Sequence, residues 1–186
     1  MLTISSLPQA YLKALFASRS ETALAFHSLP LVVASGLEIV GLGLDGVDFV
    51  IFFASVTLMS DDDPAFAQMM ANGFNQGRLP PASARFVKFA RRDASDDKTM
   101  FRPETWRLYN RHSLRRFQQA LQAALLGHAT SFLLVPEYLF APTTAKLDRL
   151  YQRMSRPFAT GELGVTLALK YCPDGETGGF YSYERK

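Results

Sequence analysis

The chain of 186 residues has a single cysteine, Cys172, which excludes an internal disulfide framework. Cys172 stands beside Pro173 with no histidine near it in sequence, so it lacks the setting of a catalytic thiol. Histidine is as scarce: His27, His112 and His128 are far apart and show no zinc-ligand spacing. No Gly-x-Ser-x-Gly, P-loop or zinc pattern occurs, and there are no internal repeats or low-complexity tracts. No long hydrophobic run exists either. The most apolar window, Phe49 to Met59, is too short to span a bilayer and is preceded by Asp45 and Asp48. The first residues lack a cationic region followed by an apolar run. These absences predict a cytoplasmic protein with no membrane insertion.

What is present is ordinary globular material, 48% hydrophobic and 20% charged, enough to bury a core without staples. The length suits one α+β domain over residues 1–186, with a helical N-terminal segment at 1–28 and a sheet plus helices over 29–186. The centre of the pattern is a hairpin. Leu37 to Leu44 forms one arm, Asp45-Gly46 the turn, and Val47 to Met59 the second arm. Both arms are apolar on both faces away from the turn but for Glu38, which marks central strands covered on two sides. Gly41 and Gly43 leave bare backbone where another element or a ligand comes close.

Around the hairpin, Ser6 and Pro8 open a helix bearing Leu12, Leu15 and Phe16, and Ala23 to Phe26 reads as a further turn. Leu29 to Val33 reads as a short strand, with Pro30 placing it at an edge. Ser60-Asp61-Asp62-Asp63-Pro64 reads as the start of the next helix, closed by Asn72-Gly73. Ala84 to Arg92 alternates apolar and basic residues as a half-exposed strand does. Pro103 to about Leu126 gives the longest helix, with Gly127 as its stop, and Ser131 to Val135 a buried strand ended by Pro136. Thr143 caps a helix with Pro157 beyond its end. Strands follow at Glu162–Tyr171 and Phe180–Tyr183. The order predicts one mixed sheet with helices packed on it.

Charge is unevenly spread. Residues 1–77 carry two basic and seven acidic side chains, whereas residues 78–116 carry eleven basic and four acidic. Arg91, Arg92, Arg107, Arg111, Arg115 and Arg116 lie in this basic segment, with Phe101, Trp106 and Tyr109 interleaved. Arginine holds phosphate bidentately and stacks on bases, and aromatics serve single-strand binders. The same residues also suit a solvated helix face with its rings in the core. Asp61 and Asp62, at the expected end of a buried strand, are candidates for catalytic and Mg²⁺-binding carboxylates, with Asp48 as a third metal ligand. Acidic residues there would equally favour a helix N-terminus. Glu137 and Glu162, at strand ends, could join such a site. Asp96-Asp97-Lys98 matches a nuclease Asp-x-Lys in letters, but in a polar loop. Gly41-Leu42-Gly43-Leu44-Asp45-Gly46 spells G-x-G-x-x-G, but a strand follows it where a dinucleotide fold needs a helix.

The element order from residue 9 to 90 resembles the ParB/sulfiredoxin fold: a helix, then Leu29 to Val33, a hairpin, a helix and a basic strand. That fold occurs in plasmid fertility-inhibition proteins of the Osa type, which are similar in length and are nucleases with ATPase activity. The resemblance covers about half the chain. Where the fold carries a polar Gly-x-x-Arg element this chain has Ala54-Ser55-Val56-Thr57. The resemblance implies DNA as partner, ATP as a further ligand and a block on conjugative DNA transfer.

Two functional expectations follow. One is a nucleic-acid-acting protein, a Mg²⁺-dependent nuclease or phosphodiesterase in its fullest form, with the six arginines on the backbone. The other is a non-catalytic interaction module, an inhibitor or adaptor for an acidic protein partner, presenting some of its aromatic residues.

Overall fold

The Asp45-Gly46 turn adopts positive φ at both residues, 50° and 79°, as a two-residue hairpin with the right-handed twist of its strands requires. The protein is seen as a computed structural model that describes residues 4–18, 25–62, 78–94, 111–142, 144–160, 167–171 and 180–186. The side chains of Asp61, Asp62, Arg111 and Tyr171 lie outside that description. The elements are α1 (Gln9–Phe16), β1 (Ala25–His27), β2 (Leu31–Ala34), β3 (Leu37–Leu44), β4 (Val47–Ser55), α2 (Val56–Asp62), β5 (Arg85–Arg91), α3 (Arg111–Ser131), β6 (Glu137–Phe140), α4 (Ala145–Thr160), β7 (Leu167–Tyr171) and β8 (Tyr181–Arg185). The strands form one mixed sheet in the order β1-β3-β4-β5-β6-β8-β7, with β2 also on β3. Strands β5 and β6 run parallel, and β6, β8 and β7 form antiparallel neighbours. The α+β expectation is met. The chain divides into two compact units, Met1–Phe52 with Lys88–Ser131 and Phe53–Val87 with Phe132–Lys186.

In the first unit every residue of β3 is buried. The reason lies in the alternation of a strand's side chains. On the odd-numbered face, a Cβ added at Gly41 would meet Leu15 Cβ and Phe16 Cζ at 3.1 Å, so α1 packs directly on the bare backbone. On the even-numbered face, His128 of α3 reaches Glu38, Nε2 to Oε2 at 3.4 Å, with both side chains buried. Phe117 of α3 stacks between Phe49 and Phe89, with centroids 4.9 and 5.2 Å away.

The outer edge of β3 is paired by β1 and β2 in succession. His27 pairs Leu42 and Leu31 pairs Ile39, so four steps along one side answer three along the other, and one residue is extra. Ser28 bridges the break: its N–H donates to Gly41 O at 2.8 Å and its Oγ accepts from Gly41 N at 2.9 Å. Leu29 is pushed out to 84% exposure. Ala25–His27 is therefore strand, where the sequence suggested a further helical turn.

In the second unit, Phe140, Tyr151, Tyr181, Tyr183 and Phe158 form a chain of ring contacts at 4.8 to 5.6 Å. Phe53 meets Tyr138 edge-on, and Phe86 meets Phe180 likewise.

Among the described residues several element boundaries differ from expectation. Strand β4 stops at Ser55 rather than Met59, because Ser55 Oγ accepts from Leu58 N at 3.2 Å and caps α2. Asp61 and Asp62 thus lie in α2, past its first turn, rather than at the end of the strand. Helix α3 continues through Gly127 to Ser131, drawn on by buried His128 and Ala129, with Thr130 and Ser131 hydroxyls donating to the carbonyls four residues back at 2.9 Å. The predicted buried strand at Ser131–Val135 is a helix end and turn, with Leu133 68% and Leu134 93% exposed; the strand follows Pro136 instead. Helix α4 is capped by Thr144, whose Oγ1 accepts from Leu147 N at 3.2 Å, and it carries Pro157 inside. Its last turn persists because Phe158 is buried against the Tyr183 ring.

Candidate functional site

In the first unit, polar side chains from three separate stretches of sequence converge at the hairpin turn. Asp45 Oδ2 accepts from Ser113 Oγ at 2.8 Å and from an Arg116 amino group at 2.9 Å, which ties the turn to the start of α3. The end of β5 is tied to the base of the turn through backbone, with Arg92 N donating to Asp48 O at 2.8 Å. The Arg92 guanidinium also contacts Asp48 Oδ2 at 3.3 Å. Arg91 pairs with Asp93. Gly46, Val47, Asp48, Arg91, Arg92 and Asp93 line a hollow of about 260 Å³. Behind it, the Arg92 guanidinium lies 4.8 Å from the centroid of the Phe16 ring, and Phe16 lies 6.2 Å from Phe26. A guanidinium over an aromatic face is attracted by the ring quadrupole. This holds the Arg92 side chain in place without covering it, since 36% of it stays exposed.

The structure therefore gathers Asp48, Arg91, Arg92 and Arg116 at one end of the hairpin. Arg115 is exposed on α3, and Arg111 is its first residue. Arg107 lies outside the described residues, as do Phe101, Trp106, Tyr109, Asp63, Asp96, Asp97, Lys98, Thr143, Glu162 and Cys172. Asp61 and Asp62 belong to α2, in the stretch of chain assigned to the second unit. Of the expected Mg²⁺ ligands, only Asp48 has a described side chain, and a guanidinium already occupies it. Among the described residues no group of three or more His, Cys, Asp or Glu side chains is placed to hold a metal. Glu137 is buried and answered on both oxygens, by the Arg78 guanidinium at 2.8 and 3.4 Å and by the Ser182 hydroxyl, so it acts as an internal tie of the second unit. The G-x-G-x-x-G stretch has its first glycine covered by α1, which leaves no room for a phosphate at Gly41.

Three parts of this site escaped the sequence. Asp45 read only as a turn residue and Phe16 only as part of the first helix, and Asp93 was not singled out. No signal in the sequence joins them; Asp45 and Arg116 are 71 positions apart. Among the described residues, no helix is long and apolar enough to cross a membrane. Comparison with protein-family models, curated proteins and solved structures finds no match.

Proposed function

We propose that the protein binds nucleic acid through its phosphates at the hairpin turn, with Arg91, Arg92 and Arg116 as contacts. The supporting observation is the hollow of about 260 Å³ lined by two consecutive arginines, beside a turn that anchors a third. Each arginine has a carboxylate partner, so phosphate must compete for it. On the carboxylate side the competition is softened by water, since Asp93 is 64% exposed although the Arg91 side chain is 12% exposed. Phosphate offers a bidentate, charge-assisted alternative.

On this reading the carboxylates restrain binding. Asp93→Asn removes the carboxylate charge that faces Arg91 and should tighten DNA binding several-fold in fluorescence anisotropy at low salt; weaker binding would contradict the assignment. The fuller reading, a nuclease that uses Asp48, Asp61 and Asp62 with Mg²⁺, predicts the opposite for a neighbouring change. Asp48→Asn would then abolish Mg²⁺-dependent cutting on a gel, whereas pure binding predicts no cutting by either form and a tighter complex with the variant. The resemblance to Osa-type proteins adds ATP hydrolysis and a block on DNA transfer, and ATP turnover can be read from the same samples.

A second reading, an interaction module for a protein partner, is favoured by the exposed pair Leu133 and Leu134 in the second unit. Among the described residues no aromatic ring is largely exposed, so those rings add nothing to this reading.

A further inference from the structure

The hollow at the hairpin turn has walls of both signs. Asp48 and Asp93 supply acceptors, and Arg91 and Arg92 supply donors. A bare phosphate carries acceptors alone and meets repulsion from the carboxylates. The edge of a nucleobase carries donors and acceptors together, and carboxylates accept from exocyclic amines while arginine donates to ring nitrogens and carbonyls. The size also discriminates. A volume of about 260 Å³ lies below the usual 300–1,000 Å³ of drug-sized ligand sites, so it suits one base-sized group. The third observation is the stack Phe26, Phe16 and Arg92, in which the guanidinium is held at 4.8 Å from one ring and remains partly open. Arginine planes are stacking platforms for unpaired bases.

We propose that this hollow takes a single unpaired base of single-stranded nucleic acid, laid on the Arg92 guanidinium, with the flanking phosphate on Arg91. This rests on the nucleic-acid reading above and narrows it, because a duplex hides both faces of each base in its own stack and cannot offer one.

The test is fluorescence anisotropy with a labelled single-stranded oligonucleotide, the duplex of the same sequence, and a single strand of the same length with abasic positions. Wild-type protein should prefer the single strand to the duplex and to the abasic strand by about tenfold, as loss of a base stack implies. Arg92→Lys keeps the charge and loses the plane. It should weaken single-strand binding to about the abasic level with an unchanged salt slope, and abasic strands should bind it as they bind the wild type. Equal wild-type affinity for all three ligands overturns the single-base site and leaves phosphate binding standing. No binding of any ligand at low salt overturns both. The abasic comparison uses unaltered protein, so it decides the matter even if Arg92→Lys disturbs folding.

Discussion

Glu38 is the only charged residue in the two apolar arms of the hairpin beyond the turn-flanking Asp48, and its explanation comes from a helix 90 positions later. His128 and Glu38 are 0% and 4% exposed. Such a pair is weak evidence for stability as a pair, but removing either residue takes a buried polar contact from the other. Glu38→Ala or His128→Ala should each cost about 3–5 kcal/mol in urea unfolding. Replacing both residues by leucine should restore most of the loss; a double variant as unstable as the sum of the singles would contradict this account. A polar residue in an apolar strand could have been flagged from the sequence, since it demands a partner. The identity of that partner could not.

Tyr151 makes a pH prediction. Burial, and then the charge of Tyr183 beside it, push its phenol far above the ordinary tyrosine value. The folded state therefore holds the proton that the unfolded chain releases. Below pH about 10 both states keep it and stability has no slope from this group. Above about 10 the unfolded chain ionises first, so stability falls as pH rises. Tyr151→Phe should flatten that alkaline loss in urea midpoints measured from pH 9 upward; an unchanged slope would show that Tyr151 ionises freely in the fold.

At the scale of elements, the hairpin was legible because three independent signals agree on it: Asp-Gly at the turn, apolar arms and bare glycine backbone. Gly41 shows what such a signal means physically. Its added Cβ would lie 3.1 Å from two side-chain atoms and 3.2 Å from Leu15 O, and a backbone oxygen moves only with its helix. Gly41→Val should destabilise by about 1–3 kcal/mol or more through overpacking against α1. Gly127→Ala, in a helix interior with nothing within 4 Å, should stabilise by about 0.5–1 kcal/mol. Thermal unfolding separates the two by sign. The boundaries that misled were those where a local preference lost to a distant contact. Val56 and Thr57 favour strand, but the Ser55 hydroxyl caps a helix there. Gly127 favours a stop, but His128 and Ala129 are buried and carry α3 onward. The apolar run Phe132 to Val135 looked like core, yet only Val135 is buried.

For the whole molecule, the sequence located the basic segment but could not locate its counter-charges. Residues 78–116 carry the arginine excess, and Asp45 and Asp48, on the acidic side of the chain, are folded against it. Charge counted along the chain thus overstates charge at the site. Arg91, Arg92 and Arg116 were legible as candidates; the restraint of Arg92 by Asp48 and of Arg116 by Asp45 was not, because pairs 44 and 71 positions apart leave no local pattern. The α+β class was legible from the alternation of strand and helix periods. The sharing of β3's outer edge by two short strands depended on one extra residue at Ser28–Pro30 that no periodicity displays.

The most direct test is the salt dependence of DNA binding by the wild type and by the triple variant Arg91→Gln, Arg92→Gln, Arg116→Gln. Three phosphate contacts predict a log–log slope about 2–3 units shallower in the variant on duplex DNA, with a matching loss of affinity at low salt. A wild-type slope near zero, or a slope that the triple variant leaves unchanged, would contradict phosphate binding at the hairpin turn.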